Sequence, residues 1–166
     1  GGAMYVSGTG DVEITLSRFI DNTADGLSTV NDKYGGAILV DDSESVTISN
    51  SLFGGSLAQS SSVDGYGGAI ALEEITTVNI FNSIFSENLS STNGGAWYFF
   101  NVTDSVLLNN TFLGNESTNG GAGYFSSSTG ELINNIFAYS VGSTVYATSA
   151  ISASYNDWFQ NSTTDS

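Results

Sequence analysis

The chain has 166 residues and a net charge of −15, because 17 carboxylates face only two cations, Arg18 and Lys33. So few basic side chains exclude nucleic acid and anionic lipid surfaces as partners, since both are bound through Lys and Arg. The absence of Cys and His excludes disulfides, thiolate or imidazole metal sites and a serine–histidine dyad, while 40% apolar residues are too many for a disordered chain.

A tripeptide repeat organises the chain. Gly-Gly-Ala occurs five times, and a phenylalanine follows the first glycine of each copy by 17 or 18 residues. Two markers that keep step in this way indicate a repeat array. The copies begin at Gly1, Gly35, Gly67, Gly94 and Gly120, and their phenylalanines are Phe19, Phe53, Phe85, Phe112 and Phe137.

An asparagine forms a third marker, three residues before the phenylalanine. Leu16 takes this place in the first unit, and a further Asn156 before Phe159 predicts a degenerate sixth turn near 145–161. We predict that these asparagines stack as a buried amide ladder, in which side-chain amides satisfy the backbone groups exposed at a bend. Its predicted members are Asn50, Asn82, Asn109 and Asn134.

Each unit contains strand-sized pieces. A short apolar stretch follows Gly-Gly-Ala, and a Val-x-Ile stretch such as Val46-Thr47-Ile48 alternates apolar with polar residues as a half-buried strand does. No segment keeps a helical period for three turns. Three short strands per unit, without helices between them, predict an all-β, right-handed parallel β-helix of about five to six rungs spaced roughly 4.8 Å apart.

The array is predicted to be one β-helix segment over 1–166, and we expect it to be a fragment of a longer array, since repeats have no natural length. No run of about 18 apolar residues that could span a bilayer is present. The glycine pairs are interpreted as tight bends. The phenylalanines should form an internal stack, and Gly123 interrupts the column that includes Ile70 and Trp97.

The motifs carry a family resemblance. Gly-Gly-Ala-Ile at Gly35 and Gly67, and Phe-x-x-Asn at Phe19, Phe85 and Phe112, resemble the repeats of the polymorphic membrane protein family of adhesins. The resemblance implies a right-handed parallel β-helix, an extracellular or cell-surface setting and an adhesive role. The membrane-anchoring barrel and the cysteine-bearing motifs of that family are not found in this sequence.

Two acidic pairs occupy matching positions in neighbouring units. Asp41 and Asp42 follow Gly35 by the same offsets at which Glu73 and Glu74 follow Gly67. We expect these four carboxylates on adjacent rungs, where they form a solvated acidic turn, hold a calcium ion through oxygen ligands, or serve as the carboxylates of a glycosidase. Calcium is the only cofactor that the sequence suggests.

Tyr34 and Tyr66 each precede a glycine pair, in the two longest loops. We expect their rings to stack, either as a packed loop base or as a face that binds a glycan or a protein partner.

Five Asn-x-Ser/Thr sequons begin at Asn88, Asn101, Asn109, Asn115 and Asn161. We interpret Asn101 and Asn161 as the better glycosylation candidates, because Asn109 is assigned to the buried ladder.

Uniform repeats and the missing catalytic residue types favour a non-enzymatic, extracellular structural or adhesive segment of an adhesin, stalk or filament protein. The alternative is a carbohydrate-active β-helix that acts on neutral glycans through carboxylates. Strand edges at open ends predict end-to-end self-association.

Overall fold

The computed structural model describes residues 1–25, 33–59 and 64–162. Their regular structure consists of β-strands, and these ranges contain no helix that could cross a membrane. All strand pairs among them are parallel. The predicted all-β class and the parallel pairing of equivalent strands are confirmed.

The chain forms stacked coils, each running from one glycine corner to the next. Coils 1 to 6 begin at Gly1, Gly35, Gly67, Gly94, Gly120 and Gly142. The strands of coils 1 to 3 are β1 (Met4–Thr15), β2 (Arg18–Ile20), β3 (Thr23–Asp25), β4 (Lys33–Tyr34), β5 (Ile38–Ser49), β6 (Leu52–Gly54), β7 (Leu57–Gln59), β8 (Gly65–Tyr66), β9 (Ile70–Phe81), β10 (Ile84–Ser86) and β11 (Leu89–Ser90). Those of coils 4 to 6 are β12 (Trp97–Phe100), β13 (Asp104–Leu108), β14 (Thr111–Leu113), β15 (Gly123–Ser126), β16 (Gly130–Ile133), β17 (Ile136–Ala138), β18 (Val145–Ala147), β19 (Ile151–Ser154) and β20 (Asp157–Phe159).

Each strand pairs with the equivalent strands of the neighbouring coils. The largest sheet contains β1, β5 and β9, and it continues through β12, β15 and β18 along one half of β9 and through β13, β16 and β19 along the other. A second sheet has the order β2-β6-β10-β14-β17-β20. Two smaller sheets, β3-β7-β11 and β4-β8, belong to the first three coils.

The prediction of three separate short strands per unit is wrong for coils 1 to 3. There the first two stretches form one strand of 12 residues, as in β5. In coil 4 the equivalent strand is interrupted. The backbone N–H of Val102 donates to the Ser128 hydroxyl at 3.0 Å, so a side chain replaces a strand partner at that point.

The interior is built from columns of like side chains. The predicted phenylalanine stack is confirmed, with ring centroids 4.8 Å apart between Phe53 and Phe85 and 5.0 Å apart between Phe112 and Phe137. Trp158 adds the sixth ring, 4.4 Å from Phe137. The sixth turn is therefore present, but Trp158 rather than Phe159 occupies the register of the phenylalanines.

Gly123 does not interrupt its column but completes the packing of Trp97. The two residues are paired in register, and a Cβ added at Gly123 would lie 1.8 Å from the Trp97 indole. The indole is fully buried and fills the space that the glycine leaves empty. A large and a small side chain in adjacent coils thus share the volume that two isoleucines occupy elsewhere in the column.

The glycine corners have a structural cause, as predicted. Gly35, Gly67, Gly94 and Gly120 have positive φ angles of 61° to 70°. The second glycine of a pair is needed for a different reason, since a Cβ at Gly68 would lie 2.0 Å from the carbonyl oxygen of Gly95 in the next coil. Backbones therefore approach too closely at this corner for any side chain.

The amide ladder exists, but the predicted residues are wrong by one position. Asn50, Asn82, Asn109 and Asn134 are exposed and have positive φ angles of 50° to 58°. The residue after each points inward and forms the first amide column, in which a side-chain oxygen of one coil accepts the backbone N–H of the coil before it. This column consists of Ser17, Ser51, Ser83, Asn110, Asn135 and Asn156.

A second amide column lies at the next corner, where Asn88 Oδ1 accepts the backbone N–H of Ser56 at 3.0 Å. The Asn88 Nδ2 also donates to the Phe53 carbonyl of the preceding coil at 3.1 Å. Each asparagine therefore satisfies two buried backbone groups. Its asparagines are Asn88, Asn115 and Asn161, while Ser56 and Ser140 occupy the same register with hydroxyls that have no hydrogen-bond partner among the described residues.

Replacing Asn110 should therefore cost far more than replacing Asn109. In Asn110→Ala the Ser83 N–H and the Ile80 carbonyl lose partners now at 2.9 Å. We expect the free energy of unfolding to fall by about 2 to 4 kcal/mol, since each unmatched buried group costs about 1 to 3 kcal/mol. The matched control Asn109→Gly should change it by less than about 0.5 kcal/mol, because glycine adopts a positive φ freely.

Urea unfolding followed by circular dichroism measures both variants. Equal losses, or a larger loss for Asn109→Gly, would contradict the assignment of the column.

Candidate functional site

The acidic residues lie on adjacent coils, as predicted. Asp41 of β5 is paired in register with Glu73 of β9. Asp42 and Glu74 lie within the same strands, where the backbone has φ angles of 54° and 55°, and the Glu74 carboxylate accepts a 2.8 Å hydrogen bond from Asn101 Nδ2. Asp41 and Glu73 are thus a regular in-register pair, whereas Asp42 and Glu74 lie where the backbone of both strands has a positive φ angle.

Within residues 1–25, 33–59 and 64–162, no three His, Cys, Asp or Glu side chains converge into a group that could hold a metal ion. The four carboxylates of Asp41, Asp42, Glu73 and Glu74 are included in this description. Calcium binding by these residues stays a prediction.

Tyrosines from five coils form a continuous row of neighbouring rings, which we call the tyrosine row. The predicted stacking of Tyr34 and Tyr66 is confirmed, with centroids 5.0 Å apart and an interplanar angle of 24°. The Tyr66 ring lies 4.8 Å from that of Tyr98, and the Tyr124 and Tyr146 rings are 5.0 Å apart and 14° from parallel. In chain order, the tyrosine row is Tyr34, Tyr66, Tyr98, Tyr124 and Tyr146.

Two parts of the chain supply this row. Tyr34 and Tyr66 come from the short sheet β4-β8, just before the glycine corner, whereas Tyr98 comes from the first strand after that corner. The matching register in coil 3 holds Ala71, which is fully buried although its position on the strand faces outward. A small residue there fits under the neighbouring aromatic rings, so the row continues across the corner.

The Tyr66 hydroxyl is bound by Asp64, which in turn is bound by Thr92. It donates to Asp64 Oδ2 at 3.0 Å, and the Thr92 hydroxyl donates to the other oxygen, Oδ1, also at 3.0 Å. Asp64 thus connects the end of coil 2 with coil 3. Asp64 precedes Tyr66 by two residues, but the repeat pattern gives no sign of this contact.

A groove of about 350 Å³ lies at the coil 1 end of the row. This volume is within the range of small-ligand sites. It is lined by Gly1, Gly2, Thr23, Ala24, Asp25, Tyr34 and Leu39.

The sequons differ in accessibility from what the sequence predicted. Asn101 is exposed and lies at a corner. Asn161 belongs to the second amide column, where its Oδ1 accepts the Ser140 N–H at 2.9 Å, and Asn109 is exposed. The reason for preferring Asn161 over Asn109 is therefore wrong. Asn161 is the residue in the column, and Asn109 is the exposed residue at a corner. Glycosylation of Asn101 stays a prediction.

Comparisons of the chain with protein-family models, with curated proteins and with solved structures found no match. The resemblance to the polymorphic membrane protein repeats therefore stays a prediction.

The tyrosine row affects ionisation within it. Burial raises the pKa of the Tyr124 phenol above its ordinary value, and the charge of a neighbouring Tyr146 phenolate raises it further. The folded state then keeps the Tyr124 proton at a pH where the unfolded chain, with a pKa of about 10, has lost it. This contribution to stability is fully present below about pH 10 and is lost as the pH rises through the folded pKa.

Alkaline titration of tyrosine absorbance should therefore show a late component that disappears in Tyr124→Phe. In Tyr146→Phe the ring still covers Tyr124 but carries no charge, so we expect the Tyr124 pKa to fall only part of the way to its ordinary value. An unchanged late component in Tyr124→Phe would assign the raised pKa to another residue.

Proposed function

We propose that the chain is a right-handed parallel β-helix segment that serves as a non-enzymatic rod and adhesive surface of an extracellular or cell-surface protein. The observation that carries this proposal is the unbroken register of columns through all six coils, from Phe19 to Trp158. Because the described strands of each coil pair only with those of neighbouring coils, coils can be added without changing the core. Such a structure is suited to a stalk.

The right-handed coil is supported by connection geometry. Parallel strands of one sheet that are joined by a crossover follow a right-handed path in about 98% of known cases. Each return from one strand of the large sheet to the next, such as β5 to β9, is a crossover of this kind.

The adhesive role is supported by the tyrosine row, which places aromatic side chains from five of the six coils in one line along the rod, four of them at least partly exposed. Aromatic side chains provide large contact areas for glycans and proteins. The groove beside Tyr34 lies at the coil 1 end of the row. A surface glycan or protein is the ligand class that we propose, and the extracellular setting depends on the resemblance of the repeats to adhesins.

A glycan array tests this proposal. We expect the immobilised chain to bind a subset of glycans without cleaving them, and the double variant Tyr34→Ala/Tyr66→Ala to bind at least about ten-fold more weakly, which corresponds to about 1.4 kcal/mol. Tyr5→Ala is the matched control, because Tyr5 is an outward tyrosine outside the row that is 61% exposed. Equal binding by the double variant and the control would contradict a role of the row in adhesion.

The same array tests a carbohydrate-active enzyme as the second candidate. The observation that favours it is the direct pairing of Asp41 with Glu73, since two carboxylates about 5 Å apart suit a retaining glycosidase. Release of reducing ends from a neutral polysaccharide, abolished by Asp41→Ala or Glu73→Ala and retained in Asp11→Ala, would favour the enzyme over the adhesive rod.

If calcium bridges Asp41 and Glu73, it should raise the melting temperature of the unmodified chain but not that of Asp41→Ala.

End-to-end association is the remaining proposed interaction. Among the described residues β1 pairs with β5 on one side only, and β20 pairs with β17 on one side only. A 12-residue strand with one free edge is a template for another strand. We expect light scattering to show a mass that rises with protein concentration.

Val6→Lys should reduce this association, because it places a charge in the inward column of coil 1. Tyr5→Lys, on the outward face of the same strand, should reduce it less. A monomer of constant mass at all concentrations would contradict end-to-end association.

A further inference from the structure

The tyrosine row places phenol rings of adjacent coils face to face, within reach of oxidants in solution. The Tyr34–Tyr66 and Tyr124–Tyr146 pairs each have centroids 5.0 Å apart and nearly parallel planes. Tyr146 is 44% exposed, and Tyr34, Tyr66 and Tyr124 are half-buried, whereas Tyr98 is only 7% exposed. The two pairs are therefore accessible stacks of two phenols each.

We propose that the tyrosine row is an oxidative modification site, at which one-electron oxidation joins neighbouring coils through dityrosine bonds, beginning at Tyr66. The reaction needs two phenoxyl radicals in contact, and parallel in-register strands hold the two side chains of a pair about 4.8 Å apart along the row. The reaction depends on ring geometry and on a proton acceptor, so it does not require the row to bind a ligand.

Asp64 makes Tyr66 the expected starting point. A phenol that loses an electron becomes a very strong acid, so its oxidation is easiest where a base already accepts its proton. The Tyr66 hydroxyl donates to Asp64 Oδ2 at 3.0 Å, and Thr92 holds the other carboxylate oxygen in place. Asp64 therefore acts on the reaction through Tyr66, as the residue that receives the phenolic proton.

The proposed oxidant is a peroxide used by a peroxidase. Each of two tyrosines loses one electron and its phenolic proton and becomes a phenoxyl radical. The radicals couple through a carbon–carbon bond between their ortho positions, and the two ring hydrogens at those positions move to the oxygens and restore the phenols. Overall the pair loses two hydrogens, and one hydrogen peroxide accepts two electrons and two protons to become two waters.

The bond between Tyr34 and Tyr66 would reinforce the short pairing between β4 and β8. These residues are 32 positions apart in the chain (66 − 34), and β4 and β8, which contain them, pair over only two residues. A covalent bond between the coils there restricts the unfolded chain as a disulfide does. Oxidation should thus stabilise the pairing of β4 with β8 against unfolding.

The experiment treats the 166-residue chain with a peroxidase and limiting hydrogen peroxide. The monomeric fraction is then digested with a protease specific for acidic residues and analysed by mass spectrometry. We expect linked fragments that contain Tyr34 and Tyr66, with a mass lower than their sum by two hydrogens, together with dityrosine fluorescence and a melting temperature raised by several degrees. Cross-links only between molecules, or none in the monomer, would overturn the proposal.

Two variants locate the reaction. Tyr66→Phe keeps the stacked ring but has no hydroxyl, so the Tyr34–Tyr66 product should be lost while the Tyr124–Tyr146 product remains. Tyr155→Phe is the matched control at an 87% exposed tyrosine outside the row, and it should leave both products unchanged. A Tyr34–Tyr66 yield as low in Tyr155→Phe as in Tyr66→Phe would overturn the assignment to the row.

Asp64→Asn separates proton transfer from packing, since asparagine can still accept the hydrogen bond but takes up a proton far less readily. We expect the Tyr34–Tyr66 product to form several-fold more slowly and the Tyr124–Tyr146 product at an unchanged rate. Equal slowing of both products, or of neither, would contradict the role of Asp64.

Discussion

Parallel, in-register pairing of every coil with the next is the constraint on which the rest of the structure depends. Strand pairing leaves the backbone satisfied along the sheets, but the chain must turn sharply between them, and the N–H groups at those corners point at no strand. The amide columns supply the missing acceptors from the neighbouring coil. Asn135 accepts the N–H of Asn110 and donates to Leu107, so a single side chain secures two backbone groups.

The same register makes each side chain the neighbour of its own equivalent. Phe53, Phe85 and Phe112 stack because they occupy one position in three successive coils. Where the residue type varies, volume is exchanged between coils, as between Trp97 and Gly123. The cost of this exchange is a buried indole N–H of Trp97 without a hydrogen-bond partner among the described residues. A local defect is tolerated because the coils on either side keep their register.

The repeats predicted the fold class and the phenylalanine column, but they misled about the amides for a physical reason. The corner residue must adopt a positive φ, and asparagine is the non-glycine residue that does so most easily. Asn50, Asn82 and Asn109 thus recur for their backbone and produce the clearest pattern in the sequence. The true column begins with serines and changes to asparagine from Asn110 onward, so its residue type is not uniform.

Only the Tyr34–Tyr66 part of the tyrosine row could be predicted from the sequence. Tyr34 and Tyr66 share one offset from the glycine pair and were expected to stack, but Tyr98 and Tyr124 have another offset, and only folding across the corner places all four in one row. Asp41 and Glu73 were expected on adjacent coils and lie there. The contact between Tyr66 and Asp64 depends on loop conformation, which the repeat pattern does not encode.

Cysteine pairs test the register most directly, because the natural sequence has no cysteine to compete. Ile84 and Thr111 are paired in register on the outer face of β10 and β14. We predict that Ile84→Cys/Thr111→Cys forms a disulfide rapidly under mild oxidation. Ile84→Cys/Leu113→Cys, displaced by two residues to a separation of about 7 to 8 Å, should remain reduced. Preferential cross-linking of the displaced pair would contradict the stacking of equivalent positions and the structure built on it.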